Sequence, residues 1–186
     1  MKGNMVKKLV FAGIAIAINV VLGSAVSWLS IPLLFLDTLG TIFVAAAVGP
    51  WYGILTGVCT NLVMGVTSGP TAIPFALVNV AVAIVVGLMA RNGFSLPKAI
   101  VAGLLLSVRW PMIGTPIRLA LFGGFTGSGT DIVILALKAA GQNMLTATFW
   151  GAVSGNFVDK SVSCVLVSLL LKNRGVRVLL PHKATQ

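Results

Sequence analysis

The chain reads as an all-α, polytopic membrane protein of six transmembrane helices with both termini cytoplasmic. Three observations carry that expectation. Hydrophobic residues make up 58% of the 186 residues and charged residues only 9%, against about a quarter charged in a soluble domain. Mean hydropathy is +1.05, and long apolar runs recur from end to end without the alternation of a membrane β-strand. The basic residues gather at the ends of those runs. Lys2, Lys7 and Lys8 lie at the start of the first, Arg91 and Lys98 bracket a mid-chain turn, and Lys172, Arg174, Arg177 and Lys183 follow the last. These nine of the thirteen Lys and Arg residues obey the positive-inside rule. The net charge of +10 is thereby accounted for without a basic face for nucleic acid.

The first span is expected over 6–27, longer than the apolar core of a cleaved signal peptide and so retained. An outer loop over 28–36, "WLSIPLLF", is broken by Pro32. The second span covers 37–48, and Gly49–Pro50 turns the chain into the third, 51–66. Both are short for a hydrocarbon layer of about 30 Å, which takes about 20 residues. A "TSGP" turn in loop 67–70 leads to the fourth span, 71–90, and "RNGFSLPK" to the fifth, 99–122. An outer loop over 123–142 begins with "GGFTGSGTD", four glycines suited to a mobile lid, and continues as a short amphipathic stretch. The sixth span is 143–171. All 186 residues form one integral membrane domain in this scheme.

"SVRWPMIGTPIR" places Arg109, Pro111, Pro116 and Arg118 inside the fifth span. A charge at bilayer depth costs about 2.5–3.5 kcal/mol on insertion scales and marks a functional candidate. Proline frees backbone carbonyls, and broken backbone is tolerated only inside protein or against a cavity. A water-filled hollow opening outward would explain all four residues. Trp28, Trp110 and Trp150 lie on the same side, where they suit a lipid-interface belt or, with Asn79 and Arg118, a site for a flat polar ring. Trp51 and Tyr52 belong to a belt at the opposite, cytoplasmic turn. Arg109 and Arg118 favour an anionic or acceptor-rich ligand. Gly49, Gly53, Gly57, Asn61 and Gly65 recur every four residues, a stripe for close helix packing in which Asn61 either packs or faces a ligand. The expected ligand-binding set is therefore Trp28, Asn61, Asn79, Arg109, Arg118 and Trp150. Asp159 is the one acid well inside a span and is expected to neutralise Arg109 or Lys160, with Asn156 one helical turn away.

No HExxH, GxSxG or Walker A motif occurs, and the one histidine is His182 in the tail. No enzyme activity, metal or cofactor is expected. Cys59 and Cys164 read as small apolar residues, not as a metal or redox pair.

The pattern resembles the substrate-binding S component of energy-coupling factor (ECF) transporters, the bacterial vitamin importers. The resemblance rests on the size, charge and span count, on "KKLVFAGIAIAINVVL", "SIPLLF" and "LDTLGTIFVAAAVGPWYGILTGVCTNLVMG", and on "NFVDKSVSCVLVSLLLK" in the last span. It implies high-affinity capture of a small water-soluble vitamin or precursor from outside, in a multi-pass protein of the bacterial cytoplasmic membrane. It also implies partners: a transmembrane T component and two ATPase subunits. Small residues on the first helix dock on the T component in that family, commonly as alanine-x3-alanine, and Gly13-x3-Ala17 is the nearest match here. The alternative is a stand-alone proton-coupled secondary transporter using Asp159 as carrier, although such folds usually show paired broken helices and internal repeats. An intramembrane enzyme built on Asp159 and Lys160 would lack a second acid or base.

Overall fold

The computed structural model describes residues 2–29 and 31–180. Of the basic clusters, Lys183, like His182, lies outside the described residues. The described chain is helical: α1 (Lys2–Trp28), α2 (Leu39–Ala47), α3 (Pro50–Thr67), a 3-10 turn (Pro70–Phe75), α4 (Ala76–Met89), α5 (Leu96–Arg109), α6 (Pro111–Phe122), α7 (Asp131–Ala139), α8 (Met144–Lys172) and α9 (Arg174–Leu179). A helix stands at each of the six expected spans. Four segments are long and apolar enough to cross a membrane: Asn4–Trp28, Pro70–Met89, Leu96–Phe122 and Met144–Lys172. α2 and α3 are not among them.

The nine residues of α2 span about 14 Å. Seven of those residues are buried, so α2 is wrapped by other helices and presents little surface to lipid. Its Ile42, Ala45 and Ala46 join Val82 and Val86 of α4, Ala102 and Leu106 of α5, and Cys164 and Val167 of α8 in one apolar core. The outside is aliphatic, and the inside sets small polar residues beside that apolar core. Leu9, Val10, Ile14, Ile18 and Val21 of α1 are exposed, while Asn19, Thr41, Thr56, Thr60 and Ser107 are sealed in. Lipid tails do not drive leucine inward, so close packing and buried hydrogen bonds hold such a bundle together. These are the features of a membrane-embedded protein. Asn19 is one such pin: its Nδ2 donates to Thr41 and Thr60 Oγ1 at 3.0 and 3.1 Å, and its Oδ1 accepts from Gly40 N at 2.6 Å.

The glycine stripe of α3 is a packing surface. A Cβ on Gly53 would stand 2.6 Å from Ala45 Cβ on α2, and one on Gly57 2.8 Å from Asn79 Cβ on α4. Gly53→Val is therefore expected to overpack the α2–α3 contact by about 1–3 kcal/mol. In detergent this should lower Tm by about 5 °C. Gly13→Val serves as the control, because a Cβ at Gly13 meets nothing within 4 Å. Equal melting of the two variants would refute the assigned contact.

The basic turns share one end of the bundle. Lys8 Nζ lies 5.4 Å from the ring centroid of Tyr52 at the start of α3. Pro50 packs on Gly87 near the end of α4. Ser168, late in α8, donates to Phe94 O at 3.1 Å, and Lys98 Nζ caps Gly93 O at 3.0 Å. The other end carries residues 31–38 and 123–130, and there the fold is hollow.

Candidate functional site

The fifth expected span has a one-residue joint at Trp110, whose backbone stays in the right-handed helical region. Pro111 has no N–H to give Ser107 O, so α5 stops at Arg109 and α6 starts at Pro111. Trp110 sits at the joint, buried, and its Nε1 donates to Val78 O of α4 at 2.7 Å. A cavity of about 340 Å³ lies beside this joint, large enough for a small organic molecule. Val26 and Ser27 of α1, Met64 of α3, Val78 and Asn79 of α4, Gly114 and Arg118 of α6, and Ala152, Asn156 and Lys160 of α8 line it. Phe35, Phe75, Trp110 and Phe122 give it aromatic walls.

Two loops cover it, each pinned by a buried charge. Asp159 on α8 is fully buried; its Oδ1 accepts from Phe35 N at 2.9 Å and Leu36 N at 2.8 Å. Leu36 itself and nearby Leu33 have φ of 54° and 60°, left-handed backbone that non-glycine residues rarely adopt and that surrounding structure must hold. Asp159 Oδ2 takes the Lys160 ammonium at 2.6 Å, and Lys160 also donates to Thr38 Oγ1 at 2.7 Å. Arg118 pins the second loop. Its Nε donates to Gly124 O at 2.6 Å, its Nη1 to Thr130 Oγ1 at 2.9 Å, and its Nη2 pairs with Asp131. Asp131 Oδ2 accepts from Gly127 N at 2.7 Å. The loops meet where Gly129 passes Pro32, whose Cα would stand 2.5 Å from a Cβ on residue 129.

The expected site residues separate into two groups. Arg118 and Asn79 line the cavity. Asn61 stands one layer behind: its Nδ2 donates to Ala72 O at 2.9 Å and its Oδ1 accepts from Asn79 Nδ2 at 2.6 Å. Trp28, Arg109 and Trp150 do not line it, and the expectation that they would is corrected. The buried residues of α5 are Ala99, Ala102, Gly103, Leu106 and Ser107, and Arg109 falls off that stripe onto the exposed face. Asp159 is paired with Lys160, not Arg109. Trp28 is 87% exposed at the end of α1. Trp150 is exposed opposite the Ala147, Thr148, Gly151, Ala152 stripe of α8 and borders a shallow apolar surface groove instead. Trp110 is the tryptophan that does form a wall. Gly13 and Ala17 both lie on the exposed face of α1.

Asp37 went unnoticed at the level of sequence because a lone acid at the start of a helix carries no motif. The signal was in the counting. The chain has three acidic residues, Asp37, Asp131 and Asp159, and all three surround this cavity and its roof. Among the described residues no three His, Cys, Asp or Glu side chains converge as metal ligands. No family model matches the chain, and no curated protein or solved structure matches it.

Proposed function

We propose that the chain is the substrate-binding S component of an ECF-type importer. In this role it captures a small water-soluble vitamin or precursor from outside the bacterial cytoplasmic membrane and passes it inward with a T component and two ATPase subunits. The observation that carries the proposal is the roofed cavity at the end of the bundle away from the basic turns. It has aromatic walls for a flat ring and polar groups to orient it. The motifs of the first, second, third and last spans add the family resemblance. The exposed small residues Gly13 and Ala17 leave α1 free to dock on a membrane partner. Asp159 is fully engaged with Lys160 and two backbone amides, which suits a structural latch better than a proton carrier.

Two measurements test the proposal. Co-expression with T and ATPase subunits should yield a complex, lost on Gly13→Leu together with Ala17→Leu while the subunit itself still folds. Thermal-shift screening of vitamins should find one that stabilises by RT ln(1 + [L]/Kd), about 2.7 kcal/mol at a hundredfold excess over Kd. Uptake into vesicles driven by a pH gradient without any ATPase would overturn the assignment in favour of a stand-alone transporter.

A further inference from the structure

The charges at the cavity do not balance. Lys160 is matched by Asp159 at 2.6 Å, and Arg118 by Asp131. The third acid, Asp37, lines the cavity half-buried, 3.8 Å from the already matched Lys160 ammonium, and its Oδ1 is buried without a hydrogen-bond partner. Three carboxyl groups against two cations leave one, Asp37, without a cation of its own, in a chain that is otherwise strongly basic. Among the described residues, the remaining Lys and Arg side chains do not line the cavity.

A second observation points the same way without using charge. Asn79 is 1% exposed and lines the cavity, and its Oδ1 has no partner. Its orientation is set by a relay. Ala72 O can only accept, so Asn61 must turn its Nδ2 there and present Oδ1 to Asn79. Asn79 must then spend its Nδ2 on Asn61, and a bare carbonyl oxygen is left over. A buried acceptor without a donor costs about 1–3 kcal/mol, and a hydrogen-bond donor carried by a guest would relieve that cost.

We propose that the cavity binds a cationic, N–H-bearing small molecule, of the protonated amine or amidinium class, with Asp37 as its counter-charge and Asn79 Oδ1 as a hydrogen-bond acceptor. This reverses the preference for an anion that Arg109 and Arg118 suggested in the sequence. Arg109 is elsewhere, and Arg118 is occupied by Asp131 and the roof. As the ligand class of an importer subunit it rests on the function proposed above. The experiment reads the cavity's potential alone, so the two can fail separately.

The probe is a cysteine at Asn156, whose side chain lines the cavity and bonds only to Ala152 O of its own helix. In a Cys59→Ala background, with buried Cys164 retained and its inertness checked in the parent, Asn156→Cys is reacted with methanethiosulfonate ethylammonium and with methanethiosulfonate ethylsulfonate. Each rate is divided by that reagent's rate with a neutral thiol in solution. The cation should be favoured on the order of tenfold, as one nearby unit charge in a partly solvated site gives. Asp37→Asn should bring the ratio close to one. A ratio at or below one in the Asp37 protein overturns the proposal, even if the asparagine variant fails to fold. A ratio indifferent to Asp37→Asn, or a cavity that neither reagent enters, overturns it as well. Failure to assemble with T and ATPase subunits would instead overturn the importer assignment and leave this result standing.

Discussion

Asp159→Leu is expected to be the most damaging single change at the roof of the cavity. Removing one member of a buried ion pair strands the other, at about 3–5 kcal/mol. Here the stranded group is Lys160, 2% exposed, with Thr38 Oγ1 at 2.7 Å and Asp37 at 3.8 Å as its remaining partners. The same change deprives Phe35 N and Leu36 N of their acceptor, so the left-handed leucines around them lose what holds them. The two consequences can be separated. Asp159→Leu combined with Lys160→Met removes both charges, and should recover much of the melting temperature because a matched apolar pair replaces a matched ionic one. It should not recover the loop, since no acceptor has returned. Asp159→Asn keeps an oxygen for the amides and should keep them protected while the lone lysine still destabilises. Hydrogen exchange at Phe35 and Leu36, read beside thermal melting of all three variants, gives the pattern. Melting of Asp159→Leu within about 1 kcal/mol of the parent would show that the pair is not the latch described.

How much of this was visible in the sequence depends on periodicity. The helices lie where the apolar runs and turn signals place them, because Gly49–Pro50 and "RNGFSLPK" are strong local punctuation. That α2 is enclosed did not follow from its composition, since an all-apolar nonapeptide suits lipid and protein interior equally. The glycine stripe was legible because small residues every fourth position have few uses other than close approach. Arg118 was legible as an outer-end cation near a broken helix, and Asn79 as an intramembrane polar group. Arg109 misled, because depth along a span says nothing about the direction a side chain faces. The small residues at 99, 102, 103 and 107 would have shown that direction. Trp28 and Trp150 misled for the same reason, since interface belts and cavity walls use the same residue at the same depth. Which cation neutralises which acid is a matter of tertiary placement, and Asp159 meets Phe35 and Leu36 across more than 120 residues of chain.

Arg118→Met should free the second loop while leaving the helix bundle largely intact. The guanidinium reaches four targets in three directions: Gly124 O through Nε, Thr130 Oγ1 through Nη1, and both Asp131 and, at 3.5 Å, Ser128 Oγ through Nη2. Only a planar fork does this, so arginine and lysine are not equivalent here. Methionine fills similar volume on α6 and offers no donor. Asp131 would then keep only the Gly127 and Thr126 amides, which belong to the loop itself and cannot tie it to the bundle. The packing of Gly129 on Pro32 would persist, but glycine contributes little contact of its own. The cost is therefore local opening rather than global unfolding. Chymotrypsin reports it directly, because Phe125 sits in the loop, 39% exposed. Opening that costs about 1.4 kcal/mol less speeds cleavage about tenfold when closing outpaces cutting, and the loss of three charge-assisted bonds worth about 1.5–3 kcal/mol each exceeds that. Cleavage at Phe125 should rise at least tenfold in Arg118→Met and by a smaller factor in Arg118→Lys, which keeps the ion pair and loses the other two directions. Equal cleavage of all three proteins would mean that the loop is held by its glycine contacts and not by this arginine. Its burial beside the cavity would then need another cause.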